Sequence, residues 1–130
     1  MREIKFRAWN IEFEKYIGSA EYVIDPYNGE VGELSGYEIL AVDHNAVLEQ
    51  FTGLHDKNGK GIYEGDIVKL HVVILSPDDK IGIVEYIPKY GYCINFAGKV
   101  ARQEYWAAND NHTIEVIGNI HENPEQLEEK

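Results

Sequence analysis

This 130-residue chain is short of two things, cysteine and basic residues: Cys93 is its only cysteine, and 12 lysines and arginines stand against 23 acids. One cysteine permits no intrachain disulfide, so the fold has to be held by its core. The run Tyr92-Cys93-Ile94-Asn95-Phe96 reads as a strand with a buried, inert thiol. A nucleophilic cysteine would need a basic partner in an exposed, electropositive setting. The formal net charge is −11, and between Asn10 and Gln50 nine acids face one base, Lys15. Such a field repels phosphate backbones and weighs against nonspecific nucleic-acid binding. The start carries Arg2, Glu3, Lys5 and Arg7 with no apolar run behind them. Neither a signal peptide nor a membrane span is expected, and the cytoplasm is the expected compartment.

Catalytic signatures are lacking as well. Of the five histidines (His44, His55, His71, His112 and His121) none pairs with another at helical ligand spacing, and there is no cysteine cluster for structural zinc. No Walker loop or G-x-S-x-G elbow occurs. Carboxylate pairs are too common in so acidic a chain to single out a glycosidase pair. No catalytic residue, cofactor or metal is therefore expected. A metal-dependent hydrolase built on Asp43, His44 and His112, the last close to Asp110, is the weakest reading.

What is present suits one globular domain: 44% hydrophobic and 27% charged residues, with nine tyrosines. A chain of this length buries roughly two-thirds of its unfolded surface. The sequence predicts a single domain over residues 1–130, with an N-terminal lobe of about 1–50, a second lobe over 51–121 and a short helix or tail over 122–130.

The most informative stretch is Gln50 to Leu70, QFTGLHDKNGKGIYEGDIVKL. Asp56-Lys57-Asn58-Gly59 combines side chains that bond their own backbone with a glycine that accepts positive φ, which predicts a tight hairpin. Glu64-Gly65-Asp66 places a second turn directly before the β-branched run Ile67-Val68-Lys69-Leu70. A calcium loop opening at Asp56 would put Lys60 at its fifth position and Ile67 at its twelfth, where a cation and an alkyl group cannot ligate. Turn chemistry is the preferred reading of these glycines and acids.

Elsewhere, Ile4, Phe6 and Ala8 alternate with charged residues and predict a half-buried strand from Arg2 to Trp9. Two short strands follow between Phe13 and Ile24, broken at Gly18-Ser19. Asp25-Pro26-Tyr27-Asn28-Gly29 is a dense turn signal. Tyr37 to Phe51 is read as a hairpin reversing at Asp43-His44-Asn45, in preference to the helix that its Ala and Leu residues would permit. From Asp66 onward about five short strands with tight connections predict a small antiparallel, SH3-like barrel. The fold class is mainly β, with an N-terminal β-rich extension and a short C-terminal helix in which Asn123 caps, Pro124 opens and Gln126 completes a capping-box-like pair.

Three segments resemble the YopX family of phage and prophage proteins: the opening Met1-Arg2-Glu3-Ile4-Lys5-Phe6-Arg7-Ala8-Trp9, the TGL-D-NG-IYEGDIV run, and Glu115-Val116-Ile117-Gly118-Asn119-Ile120-His121-Glu122-Asn123-Pro124. The motif residues are Thr52, Gly53, Leu54, Asp56, Asn58, Gly59, Ile62, Tyr63, Gly65 and Asp66. The resemblance implies a phage accessory protein of the bacterial cytoplasm and carries over no catalytic residue. The leading expectation is a non-enzymatic protein acting through contacts with phage or host proteins or as a homo-oligomer. The alternative is nucleic-acid binding through Lys89, Tyr90, Tyr92, Lys99, Arg102 and Trp106, since exposed aromatics among cations can stack bases. Strand tyrosines more often pack a core.

Overall fold

A computed structural model describes residues 4–18, 22–24, 28–35, 38–42, 46–72, 80–102 and 112–128. The chain divides into two compact units, Ile4–Gln50 and the part from Phe51 onward.

In the first unit β1 (Phe6–Asn10) lies between two antiparallel partners, β2 (Lys15–Tyr16) and the first half of β6 (Ala46–His55). A separate three-stranded meander joins β3 (Tyr22–Ile24), β4 (Val31–Ser35) and β5 (Glu38–Val42). The two short strands expected between Phe13 and Ile24 are β2 and β3, whereas the Asp25–Tyr27 turn signal lies outside the described residues. Two expectations change. Strand β1 starts at Phe6 and buries Ala8, Trp9 and Asn10 in succession, with Ile4 60% exposed. Successive residues point to opposite faces, so local contacts override the alternation here: Trp9 packs edge-on against Tyr16 at 4.9 Å, and Asn10 caps the following turn by accepting the Phe13 N–H. The Tyr37–Phe51 region is extended, not helical, but β5 and β6 do not form a hairpin. A two-residue connection sets Ser35 opposite Glu38, so β5 pairs with the strand before it, and β6 pairs with β1. The proposed reversal at Asp43-His44-Asn45 lies outside the described residues.

The second unit contains the mainly β half-barrel. Strand β6 continues from Phe51 to His55 and turns back as β7 (Gly61–Tyr63). Then β8 (Asp66–Val72), β9 (Lys80–Ile87), β10 (Gly91–Phe96) and β11 (Lys99–Arg102) form an antiparallel meander, and β12 (His112–Asn119) returns to the free side of β8. This five-stranded, curled sheet is the barrel-like element expected from Asp66 onward. Strand β11 stops at Arg102, and the rest of the strand expected to run to Ala107 is not described. One face of the sheet holds the core: Val68, Leu70, Val84, Ile94 and Ile114, joined by Ile62 of β7. Gly82 admits this closeness, since a β-carbon there would lie 2.6 Å from the Asn95 carbonyl oxygen.

The C-terminal helix is a 3-10 turn, Pro124–Glu128. Asn123 does not cap it as expected. Its Oδ1 accepts the Asn119 N–H at 3.2 Å, while the Gln126 N–H reaches the Asn123 carbonyl at 3.0 Å. Gly118 makes room for this side chain. Among the described residues no helix is long and apolar enough to cross a membrane.

Candidate functional site

The Gln50–Leu70 stretch is built around two buried carboxylates, both engaged by backbone donors. Asp56 is 7% exposed. Its Oδ1 accepts the N–H groups of Asn58 and Lys60 at 2.9 Å each, which closes the hairpin together with the Gly59 N–H to Asp56 carbonyl bond at 3.0 Å. Gly59, at φ 85°, supplies the left-handed position the turn requires. Asp56 Oδ2 reaches a different element, accepting the Val116 N–H of β12 at 2.9 Å, and the Lys57 N–H donates to the Ile114 carbonyl at 2.9 Å. Burial pushes the Asp56 carboxyl up, but the N–H groups of Val116, Lys60 and Asn58, with the nearby Lys60 charge, outweigh it and hold the group below its ordinary value.

These two bonds satisfy the Val116 N–H and the Ile114 carbonyl on the side of β12 that faces away from β8. An unpaired sheet edge is a template for pairing with another chain. Here the hairpin turn covers the edge at Ile114 and Val116.

The remaining motif residues are structural in the same sense. Thr52 Oγ1 accepts the Leu54 N–H at 3.2 Å around Gly53, at φ 89°, where the β6–β7 register shifts. Leu54 packs against the core and Ile62 is in it. Asp66, 2% exposed, accepts the Tyr63 N–H at 2.8 Å. Gly65, at φ 85°, donates to the Val84 carbonyl and accepts from the Ile120 N–H, both at 2.9 Å. The motif thus ties β7, β8, β9 and β12 together at one corner.

The aromatic and basic residues proposed for nucleic acid are partly assembled. Tyr86 and Tyr92 stand opposite each other and pack edge-on at 5.1 Å. Lys89 Nζ and the Arg102 guanidinium lie 5.4 and 5.2 Å from the centre of the Tyr90 ring. Tyr86 and Tyr90 are 52% and 41% exposed, whereas Tyr92 packs against the core. Lys99 sits at the far end of β11, opposite Phe96, and Trp106 lies outside the described residues. Cys93 is fully buried, with its thiol pushed up by burial, against the nearby Arg102 charge and with that of Glu85. That setting fits an inert core thiol.

For the metal reading, Asp43, His44 and Asp110 lie outside the described residues. His112 opens β12 with its side chain undescribed. Among the described residues no three His, Cys, Asp or Glu side chains are grouped to hold an ion.

One feature was missed by sequence reasoning. Ile11, Glu12, Phe13 and Glu14 form the turn between β1 and β2, and Ile11 and Phe13 are 56% and 65% exposed. Asn10 Oδ1 holds the turn by accepting the Phe13 N–H at 2.8 Å. Apolar and acidic residues alternating at period two look like a strand, so no sequence signal marked this tip.

A comparison with protein-family models matches residues 5–128 to the YopX protein family. Among solved structures, protein EF1440 from Enterococcus faecalis is 28% identical with a TM-score of 0.64, covering 98% of this chain and 99% of its own. Protein YopX from Bacillus subtilis is 21% identical with a TM-score of 0.66, covering 100% of this chain and 99% of its own, and its likeness shows the fold alone. No curated protein gives a match.

Proposed function

Because this chain belongs to the YopX family, we propose that it is a non-enzymatic phage or prophage accessory protein of the bacterial cytoplasm that acts through protein contacts, with Lys89, Tyr90 and Arg102 of the half-barrel as its contact surface. The observation that supports this reading is the exposed Tyr90 ring beside the Arg102 guanidinium, at the turn between β9 and β10. Tyrosine and arginine are enriched among the few residues that dominate binding energy at protein interfaces, and a rigid support lowers the entropy lost on binding.

The same residues favour protein over nucleic acid. Lys89 and Arg102 already occupy the Tyr90 ring. A base stacking where they lie would have to displace them, against a chain of net charge −11.

The test compares the wild-type chain with a Tyr90→Ala/Arg102→Glu variant. Each is immobilised and exposed to bacterial extract, and each is titrated at low salt with single- and double-stranded DNA and RNA. The expected result is a defined protein retained by the wild type and lost by the variant, with no mobility shift. A shift that the variant abolishes would overturn the reading in favour of nucleic acid.

A further inference from the structure

The turn between β1 and β2 keeps apolar side chains in water and holds them in a fixed shape. Among the described residues Phe13 is the most exposed of the large apolar side chains, and Ile11 is more than half exposed. Both sit in a turn that the ladder closes at its base, where Asn10 pairs with Lys15. The buried Asn10 fixes the turn from inside through its bond to the Phe13 N–H. Beneath it Trp9 packs on Tyr16, and the Ile17 N–H donates to the Ala8 carbonyl at 2.8 Å. Glu14 stands at φ 53°, in the left-handed region that glycine and asparagine favour and glutamate rarely adopts. Turn chemistry alone would place glycine or asparagine there and polar residues at 11 and 13.

Charge decides what kind of partner fits. Glu12 and Glu14 flank Phe13, and both are exposed. Lys15, at the base of the turn, is the one base against nine acids between Asn10 and Gln50. An aromatic ring between two anions is also what a single nucleic-acid strand presents, base after base between phosphates. Proteins that hold single strands meet that pattern with a positively charged groove and aromatic side chains on which the bases stack. Such a groove attracts the two carboxylates and offers the Phe13 ring a face to stack on.

We propose that the Ile11–Glu14 tip docks in the basic, aromatic-lined groove of a single-strand-binding protein, where it stands in for nucleic acid. Phe13 takes the place of a base, and Glu12 and Glu14 take the places of phosphates. The turn is already ordered by Asn10, so little freedom is lost on docking. Lys15 is the one charge at the tip that opposes the contact. This surface belongs to the first unit, whereas Lys89, Tyr90 and Arg102 belong to the second, so the inference goes beyond the contact proposed above and is tested apart from it.

The test immobilises a purified bacterial single-stranded-DNA-binding protein of the OB-fold class and passes the whole chain over it at low salt, with and without a saturating thymidine oligonucleotide. Wild type is expected to bind, to lose binding once the oligonucleotide fills the groove, and to bind less as salt rises. Ile11→Ser/Phe13→Ser removes the ring, and Glu12→Gln/Glu14→Gln removes the anions. Each is expected to weaken binding at least about tenfold. Lys15→Glu is expected to strengthen it. Circular dichroism melts matching wild type establish that the variants are folded; should Ile11→Ser/Phe13→Ser melt early, Phe13→Leu replaces it, keeping the apolar bulk without the flat ring. Absence of binding by the wild type overturns the inference, as does binding that the oligonucleotide leaves untouched. A loss in the glutamine variant with none in the serine variant also overturns it, because general acidity and not the pattern of the tip would then be recognised. Tyr90→Ala/Arg102→Glu is expected to bind as wild type does, and a loss there would remove the contact from the tip and assign it to the surface proposed above.

Discussion

Among the described residues, the buried apolar side chains between Ile4 and Gln50 are Ala8, Trp9 and Val31 and the buried polar ones Asn10 and Glu49; from Phe51 onward nine apolar residues are buried, six of them in one contiguous cluster. The first unit compensates with polar and aromatic contacts. Arg7 Nε donates to Glu49 Oε1 at 2.7 Å, the Tyr16 hydroxyl donates to the same oxygen at 3.0 Å, and the Arg7 guanidinium lies 4.8 Å from the centre of the Tyr16 ring. Apolar burial contributes in proportion to area and tolerates adjustment, whereas such a network is directional and adds little net energy. Among the described residues the large apolar cluster therefore lies in the second unit, while a directional network of polar and aromatic contacts joins β1, β2 and β6 in the first.

The largest expected effect tests that assignment at its centre. Ile94 is fully buried in the cluster. Ile94→Ala should cost about 2–5 kcal/mol, read as a lower denaturant midpoint with an unchanged slope. A loss under about 1 kcal/mol would mean that the half-barrel core is not where stability resides.

Next is Asp56, where the second unit itself depends on polar contacts. Asp56→Ala leaves three N–H groups without their acceptor, those of Asn58, Lys60 and Val116, and should cost about 1–3 kcal/mol. The pH dependence follows from the direction of its shift. Its folded-state carboxyl titrates below the ordinary 3.8, so this contribution is present above that value and is lost as pH falls through the folded one. Stability measured from pH 6 downward should fall more steeply below about pH 4 in wild type than in Asp56→Ala. Parallel curves would show that the carboxylate is not what holds the hairpin to β12.

The contrast between the units also explains what could be read from sequence. Turns at Asn58-Gly59 and Gly65 were legible because a positive φ is a local demand that glycine answers locally. The five strands after Asp66 were legible from their spacing, because their neighbours in the sheet are mostly their neighbours in the chain. Asp56 bonding Val116, 60 residues away, leaves no local trace, so a turn residue gave no sign of being a seal. In the first unit both misreadings were of partners. Strand β6 pairs with β1 across most of that unit, and the IEFE tip carries strand-like alternation into a turn held by Asn10.

The smallest effect separates the units most sharply. In Glu49→Gln the amide oxygen can still accept from Arg7 and Tyr16, so what is lost is the charge of the pair. Side-chain exposures of 21% for Arg7 and 5% for Glu49 let water reach the guanidinium from one side, which limits the cost to about 1 kcal/mol. Because β1 pairs with β6 through Arg7 and Glu49 as direct opposites, the opening should be local to that ladder. Hydrogen exchange followed by mass spectrometry should show faster exchange in peptides covering β1 and the Ala46–Gln50 part of β6, with β8 to β10 unchanged. Equal acceleration in β8 to β10 would mean that the two units unfold as one, so that loss of one charge in this network is felt throughout the chain.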